Sequence, residues 1–143
     1  MMLYLDNAAT TLKKPLSVYA TLFKSTLFSG GNAGRGGHKM SMDAVRAIVD
    51  TQDLIAQLFN IKKAENIVFT QNATYALNTA ILGTMSNGGH IVVTEMDHNS
   101  VLRPACLPGN YTVVKADKSG YVHAEDVEKA VRKDTKLIVC THA

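Results

Sequence analysis

With 143 residues, 46% of them apolar and 19% charged, the chain is long enough for one domain with a core of its own and has an ordinary globular composition. Its net charge of +3, from fifteen Lys and Arg against twelve Asp and Glu, never gathers into a dense run, which argues against a nucleic-acid surface. No apolar run reaches membrane-spanning length, the start Met1-Met2-Leu3-Tyr4-Leu5-Asp6 lacks the pattern of a signal peptide, and Cys106 and Cys140 show neither metal-type spacing nor a CxxC pair. A cytoplasmic protein with no metal and no membrane partner is the expectation.

Taken in order, Tyr4-Leu5 reads as a short extended piece and Asp6 to Thr11 as a loop. Pro15 opens a predicted helix running to Phe28. Residues 29–38, SGGNAGRGGH, contain five glycines, too many for regular structure. Ser41 is the predicted cap of a long amphipathic helix that carries Val45, Ile48, Val49, Ile55 and Leu58 and ends near Asn60. Asn66 to Thr70 is β-rich and predicts a buried strand. Ala73, Ala76, Leu77, Ala80 and Ile81 give a helix with one apolar face, closed by Asn87-Gly88-Gly89.

The alternation then repeats. His90 to Thr94 predicts a strand, Asn99 to Cys106 a short helix or turn, Tyr111 to Val114 a strand, Ser119-Gly120 a turn, Ala124 to Arg132 a helix, and Lys136 to Thr141 a last strand. Strands alternating with helices imply an α/β fold, a mostly parallel sheet covered on both faces. Cys140 closes the apolar run of the last strand, where a buried, inert thiol is expected; Cys106, beside prolines, is expected to be more accessible. That strand ends two residues before the chain does, so a longer parent chain is expected. The expected organisation is an N-terminal segment with its glycine-rich loop over 1–40 and the first part of a larger domain over 41–143.

Three stretches carry chemistry. In Phe69 to Asn78 a predicted strand gives way to a helix after Asn72, and the first amides of that helix, at the positive end of its dipole, suit a phosphate; Asn72 can cap and the Thr74 hydroxyl can donate. A purely structural cap is the competing reading. In Thr94 to Ser100, His98 follows the next strand and should share the rim of the sheet with Thr74, where an imidazole can stack on an aromatic ligand or exchange a proton. The competing reading is a surface His bonded to Asp97. In Asn32 to His38, glycines flank Arg35, leaving its guanidinium able to approach an anion, or merely to solubilise a loop. No strand precedes these glycines and no Lys-Ser/Thr follows, so neither a dinucleotide fingerprint nor a P-loop is present.

These segments together resemble the cysteine desulfurases and their class V aminotransferase relatives. Asp6-Asn7-Ala8-Ala9-Thr10-Thr11 is similar to the family's opening motif, and Arg35-Gly36-Gly37-His38 to its Arg-Gly-x-His element. Phe69 to Asn78 is similar to the phosphate-binding segment, Glu95 to Pro104 to the segment of the ring-stacking His, and Thr141-His142-Ala143 to a strand end that leads into a Ser-Asn pair. Each match is modest; the ordered set, over nearly the whole chain, is specific.

The resemblance implies the large domain of a fold-type I transferase using pyridoxal 5'-phosphate. It implies a phosphate held by Ala73 and Thr74, a ring stacked by His98 that also acts as acid and base, and a substrate side lined by Ala8, Ala9, Arg35 and His38, the last two across a homodimer interface. The family usually has Gly-Thr-Thr where this chain has Asn72-Ala73-Thr74, so one hydroxyl donor is lost, worth about 1 kcal/mol. The implied reaction removes sulfur from L-cysteine, giving alanine and an enzyme persulfide that serves iron–sulfur cluster assembly through an acceptor protein. Selenocysteine lyase or another class V activity, and a degenerate binding or oligomerisation module, are the alternatives. None of Lys115, Lys118, Lys129, Lys133 and Lys136 sits in the family's lysine motif, and neither cysteine matches its nucleophile. With that lysine and nucleophile absent, this chain alone is expected to be inactive; the resemblance also places missing strands beside the 66–70 strand, so that the chain is expected to aggregate or be unstable.

Overall fold

A computed structural model describes residues 3–142. The chain divides into two compact units, one up to Val68 and one from Phe69 onward.

The first unit holds α1 (Leu16–Phe28), α2 (Lys39–Leu58) and a 3-10 turn at Ala64–Asn66 that packs on α2. Tyr4-Leu5 forms no strand. The cap of α2 is His38 and not Ser41: the His38 Nδ1 accepts the Ser41 amide at 3.3 Å. Ser41 is buried instead, its hydroxyl donating to the Asn32 carbonyl at 2.7 Å and tying the glycine loop to the helix. The loop passes so close that a Cβ on Gly31 would collide with the Met40 carbonyl, which is the reason for glycine there.

The strand expected over 66–70 does not form. Asn66 ends the 3-10 turn and Ile67–Thr70 runs without a ladder. A β-rich run becomes a strand only when a neighbour supplies its hydrogen bonds, and no described strand pairs with this one. The Ile67 carbonyl accepts from the Gln52 side chain of α2 at 2.7 Å instead.

Helix α1 buries none of its residues, and Leu16, Phe23 and Phe28 are 86%, 68% and 68% exposed. Covering one such side chain returns about 1.5–3 kcal/mol. Sedimentation velocity on the isolated chain is therefore expected to show concentration-dependent association that Phe23→Lys reduces. A monomer at every concentration would contradict this.

The second unit contains α3 (Ala73–Thr84), β1 (His90–Thr94), α4 (Asn99–Cys106), β2 (Tyr111–Val114), α5 (Ala124–Ala130) and β3 (Thr135–Ile138). All pairings are parallel, in the order β2-β1-β3. The fold is thus the expected α/β arrangement of a parallel sheet with flanking helices. Between α3 and β1, Gly88 and Gly89 take φ of 66° and 122°, a left-handed turn that side chains resist. Central β1 is buried along its whole length. Ile91 and Val93 point to one face and join Ile81 and Met85 at the end of α3 with Val101 and Ala105 of α4 in the core.

On the opposite face lies His90, fully buried. Its Nδ1 meets the Thr135 hydroxyl at 2.8 Å and its Nε2 the Thr112 hydroxyl at 2.9 Å, so one ring links all three strands. Lys136 is the extra residue of a bulge between the His90–Thr135 and Ile91–Leu137 pairs.

The outer strands are less covered than expected, with alternating exposure along β3. Cys140, two residues beyond β3, is exposed and not buried. Among the described residues strand β3 has a neighbour on one side only, so its apolar run is not enclosed.

Candidate functional site

Helix α3 begins where its sequence breaks from extended backbone. Asn72 caps it, with φ of −166°, and its side-chain oxygen accepts the Tyr75 amide at 2.9 Å. The Asn72 carbonyl takes the Ala76 amide at 3.1 Å, the first bond of the helix. Of the opening amides, those of Ala73 and Thr74 have no partner among the described residues. They mark the positive end of a 12-residue helix. Beside them the Thr74 hydroxyl is a further uncommitted donor.

Helix α4 opens in the same manner on His98. The His98 Nδ1 accepts the Ser100 amide at 3.1 Å and lies 2.9 Å from the Ser100 hydroxyl. A nitrogen that accepts an amide hydrogen carries none of its own, so the neutral ring bears its proton on Nε2. Asp97 does not bond to His98. It is buried, with Oδ2 accepting the Thr94 amide at 2.7 Å and the Thr94 hydroxyl at 3.0 Å, while Oδ1 accepts from Thr141 at 2.7 Å. Asp97 thus pins the turn that presents His98 to the end of β1 and to the chain beyond β3.

Pro104 lies inside α4 and cannot donate to the Ser100 carbonyl four residues back. The side chain of Asn78 stands in: its Nδ2 donates to the Thr74 carbonyl at 2.8 Å and reaches the Ser100 carbonyl at 3.5 Å. The starts of α3 and α4 are joined through this one amide.

Thr74 and His98 line one cavity of about 380 Å³, with Asn78, Asn99, Ser100 and Arg103. Residues 24 apart in sequence are brought to the same place, as the strand–helix alternation implies. Ala73 opens the same helix, its side chain exposed. Ala8, Ala9, Arg35 and His38 belong to the first unit, where His38 is occupied as a cap and the other three are exposed. Sequence reasoning missed Asp97, Ser100, Asn78 and Arg103; only the Thr94-to-Asp97 spacing at a strand end offered a signal.

No lining residue among those described is acidic, and the lining carries hydroxyl, amide and guanidinium donors. That donor set fits a phosphate ester on an aromatic ring: helix amides and Thr74 for the anion, an imidazole for the ring. Although Cys140 is exposed as a residue, desolvation of its sulfur by neighbouring atoms, and then the Asp97 carboxylate, push its thiol above the ordinary value, which makes it a poor nucleophile near neutral pH. None of the five lysines from Lys115 to Lys136 lines the cavity.

The chain matches the family model for aminotransferase class-V over residues 3–143. It is 34% identical over 148 residues to a probable cysteine desulfurase of Aeropyrum pernix, covering 97% of this chain and 36% of that protein. It is also 34% identical over 149 residues to the cysteine desulfurase IscS of Dictyoglomus turgidum, covering 98% and 37%. The chain therefore spans little more than a third of the length of the curated relatives it matches. Among solved structures, a NifS-like protein shares the fold with a TM-score of 0.81 at 22% identity, over 94% of this chain and 38% of its own. A structure described as SspA in complex with cysteine gives 0.80 at 26%, over 93% and 40%.

Proposed function

This chain belongs to the aminotransferase class-V family, and from that premise we propose that it supplies the cofactor-anchoring part of a pyridoxal-phosphate-dependent cysteine desulfurase. The observation that carries the reading is the shared cavity of Thr74 and His98 at two helix starts. Bound there, pyridoxal 5'-phosphate supplies an electron sink for bonds at the amino-acid Cα.

The chain's own part is to bind and orient. The Ala73 and Thr74 amides and the Thr74 hydroxyl hold the phosphate against the dipole of α3. His98, fixed at Nδ1 by Ser100, covers the ring and offers Nε2 as the one site for proton exchange. Asn78 holds the two helix starts in register. Ala8, Ala9, Arg35 and His38 form the substrate side, the last two acting in a homodimer of the complete enzyme. L-Cysteine is the substrate, an acceptor protein takes the sulfur for iron–sulfur clusters, and the compartment is the cytoplasm. Two of the relatives are described as cysteine desulfurases, and one structural neighbour holds cysteine, which favours that substrate over selenocysteine.

Titrating the chain with pyridoxal 5'-phosphate, read by cofactor absorbance, is expected to show saturable binding. Thr74→Val weakens it and Ala73→Thr strengthens it, each by roughly five-fold, the worth of one hydrogen bond of about 1 kcal/mol. Binding untouched by Thr74→Val would remove the phosphate site from this helix. A parent polypeptide that released no alanine from L-cysteine would overturn the substrate assignment.

A further inference from the structure

We propose that Arg103 is an anion-recognising residue of this cavity and grips the phosphate ester from the α4 side. The inference rests on the cofactor reading for the identity of the anion, and on the geometry of α4 for the residue. Arg103 follows Asn99 by four positions and Ser100 by three, so it shares their helix face. Helical side chains lean toward the N-terminus, which sends a long guanidinium back toward His98 and Asn99, and Arg103 lines the cavity with them.

Among the described residues no carboxylate claims it. The two acidic residues of the preceding turn are committed elsewhere: Glu95 to Lys115 at 2.7 Å, and Asp97 to Thr94 and Thr141. Among the described residues Arg103 has no ion pair, and the other cavity-lining residues are all uncharged apart from the titratable His98. An arginine beside helix amides, with no internal counter-ion, completes a donor set for a doubly charged ester. Its planar fork suits two phosphate oxygens at once.

Isothermal titration of the full chain, its Arg103→Gln and its Arg103→Lys variants with pyridoxal 5'-phosphate, pyridoxal, inorganic phosphate and L-alanine tests this. Circular dichroism checks that each variant is folded. Arg103→Gln is expected to weaken the phosphorylated ligand roughly ten-fold or more while leaving pyridoxal unchanged, as loss of a charged hydrogen bond requires. Arg103→Lys should fall between, keeping charge without the fork. Equal losses for pyridoxal and its phosphate would overturn the assignment, because Arg103 would then act on packing alone. Unchanged phosphate-ester binding in Arg103→Gln would also overturn it and leave the cofactor reading standing. Arg103-dependent binding of inorganic phosphate without binding of the cofactor would uphold the anion site and sink the cofactor reading. Loss confined to L-alanine would make a substrate carboxylate the ligand and overturn the phosphate assignment, and failure of the unaltered chain to bind either anion would overturn it outright.

Discussion

Replacing His90 by alanine is expected to lower the stability of the second unit by about 3 kcal/mol or more, read from urea melts followed by far-UV circular dichroism. Two terms add. A fully buried ring is removed from the sheet, leaving a cavity, and the hydroxyls of Thr112 and Thr135 lose their shared partner. A native domain has about 5–15 kcal/mol in all, so the loss is a large fraction.

The same residue sets a pH dependence. The Arg132 amide donates to the Thr135 hydroxyl at 2.7 Å, leaving that hydroxyl's own hydrogen for the His90 Nδ1, so Nε2 bears the ring proton and donates to Thr112. The neutral imidazole is fully satisfied, and protonation would put a charge in the sheet. Burial, then the Arg132 charge, pushes the His90 pKa below the ordinary 6.5, against a smaller opposite pull from Asp134. Below 6.5 the unfolded chain takes up a proton that the folded unit refuses. Stability contributed by His90 is therefore present above that pH and declines as pH falls from 6.5 toward the depressed folded value. In His90→Ala this part of the pH profile should flatten. An unchanged slope between the two proteins would show that the ring is not the group responsible.

Asp97→Ala is expected to cost about 2–3 kcal/mol and to weaken cofactor binding with it. The carboxylate is 5% exposed and receives the Thr94 amide, the Thr94 hydroxyl and the Thr141 hydroxyl. Without it, a buried amide is left with no acceptor, and the turn that carries His98 loses its anchor. Asp97→Asn should fall between, because one amide oxygen still accepts while its NH2 faces a donor. A melt and a titration both matching the unaltered chain would contradict the anchoring role.

Much of the second unit was legible because its pattern is local. The apolar stripe of α3 and the β-branched run of β1 follow from periodicity, the segment Asn99 to Cys106 was expected as a short helix or turn, and each appears within a few residues of expectation. The 66–70 segment and Cys140 failed for one reason: burial of a β-rich run depends on neighbours that no local pattern names. His38 and not Ser41 caps α2, and the serine is buried where its hydroxyl donates to the Asn32 carbonyl of the glycine loop, a contact nine residues back that helical periodicity does not name. Asp97 looked like a neighbour for His98, and only folding showed its oxygens committed to Thr94 and Thr141.

The amino-acid order by itself determined the α/β class, the starts of the two helices, and which residue types, a threonine and an imidazole, stand at them. Those are consequences of capping, dipole and periodicity, which act over a few residues. Only the tertiary structure decided that α3 and α4 open onto one cavity, that Asn78 fills the carbonyl Pro104 leaves without a donor, and that Arg103 joins them. Such convergence depends on the parallel packing of β1 between its neighbours and of two helices on one of its faces, distances that the order of residues along a chain does not contain.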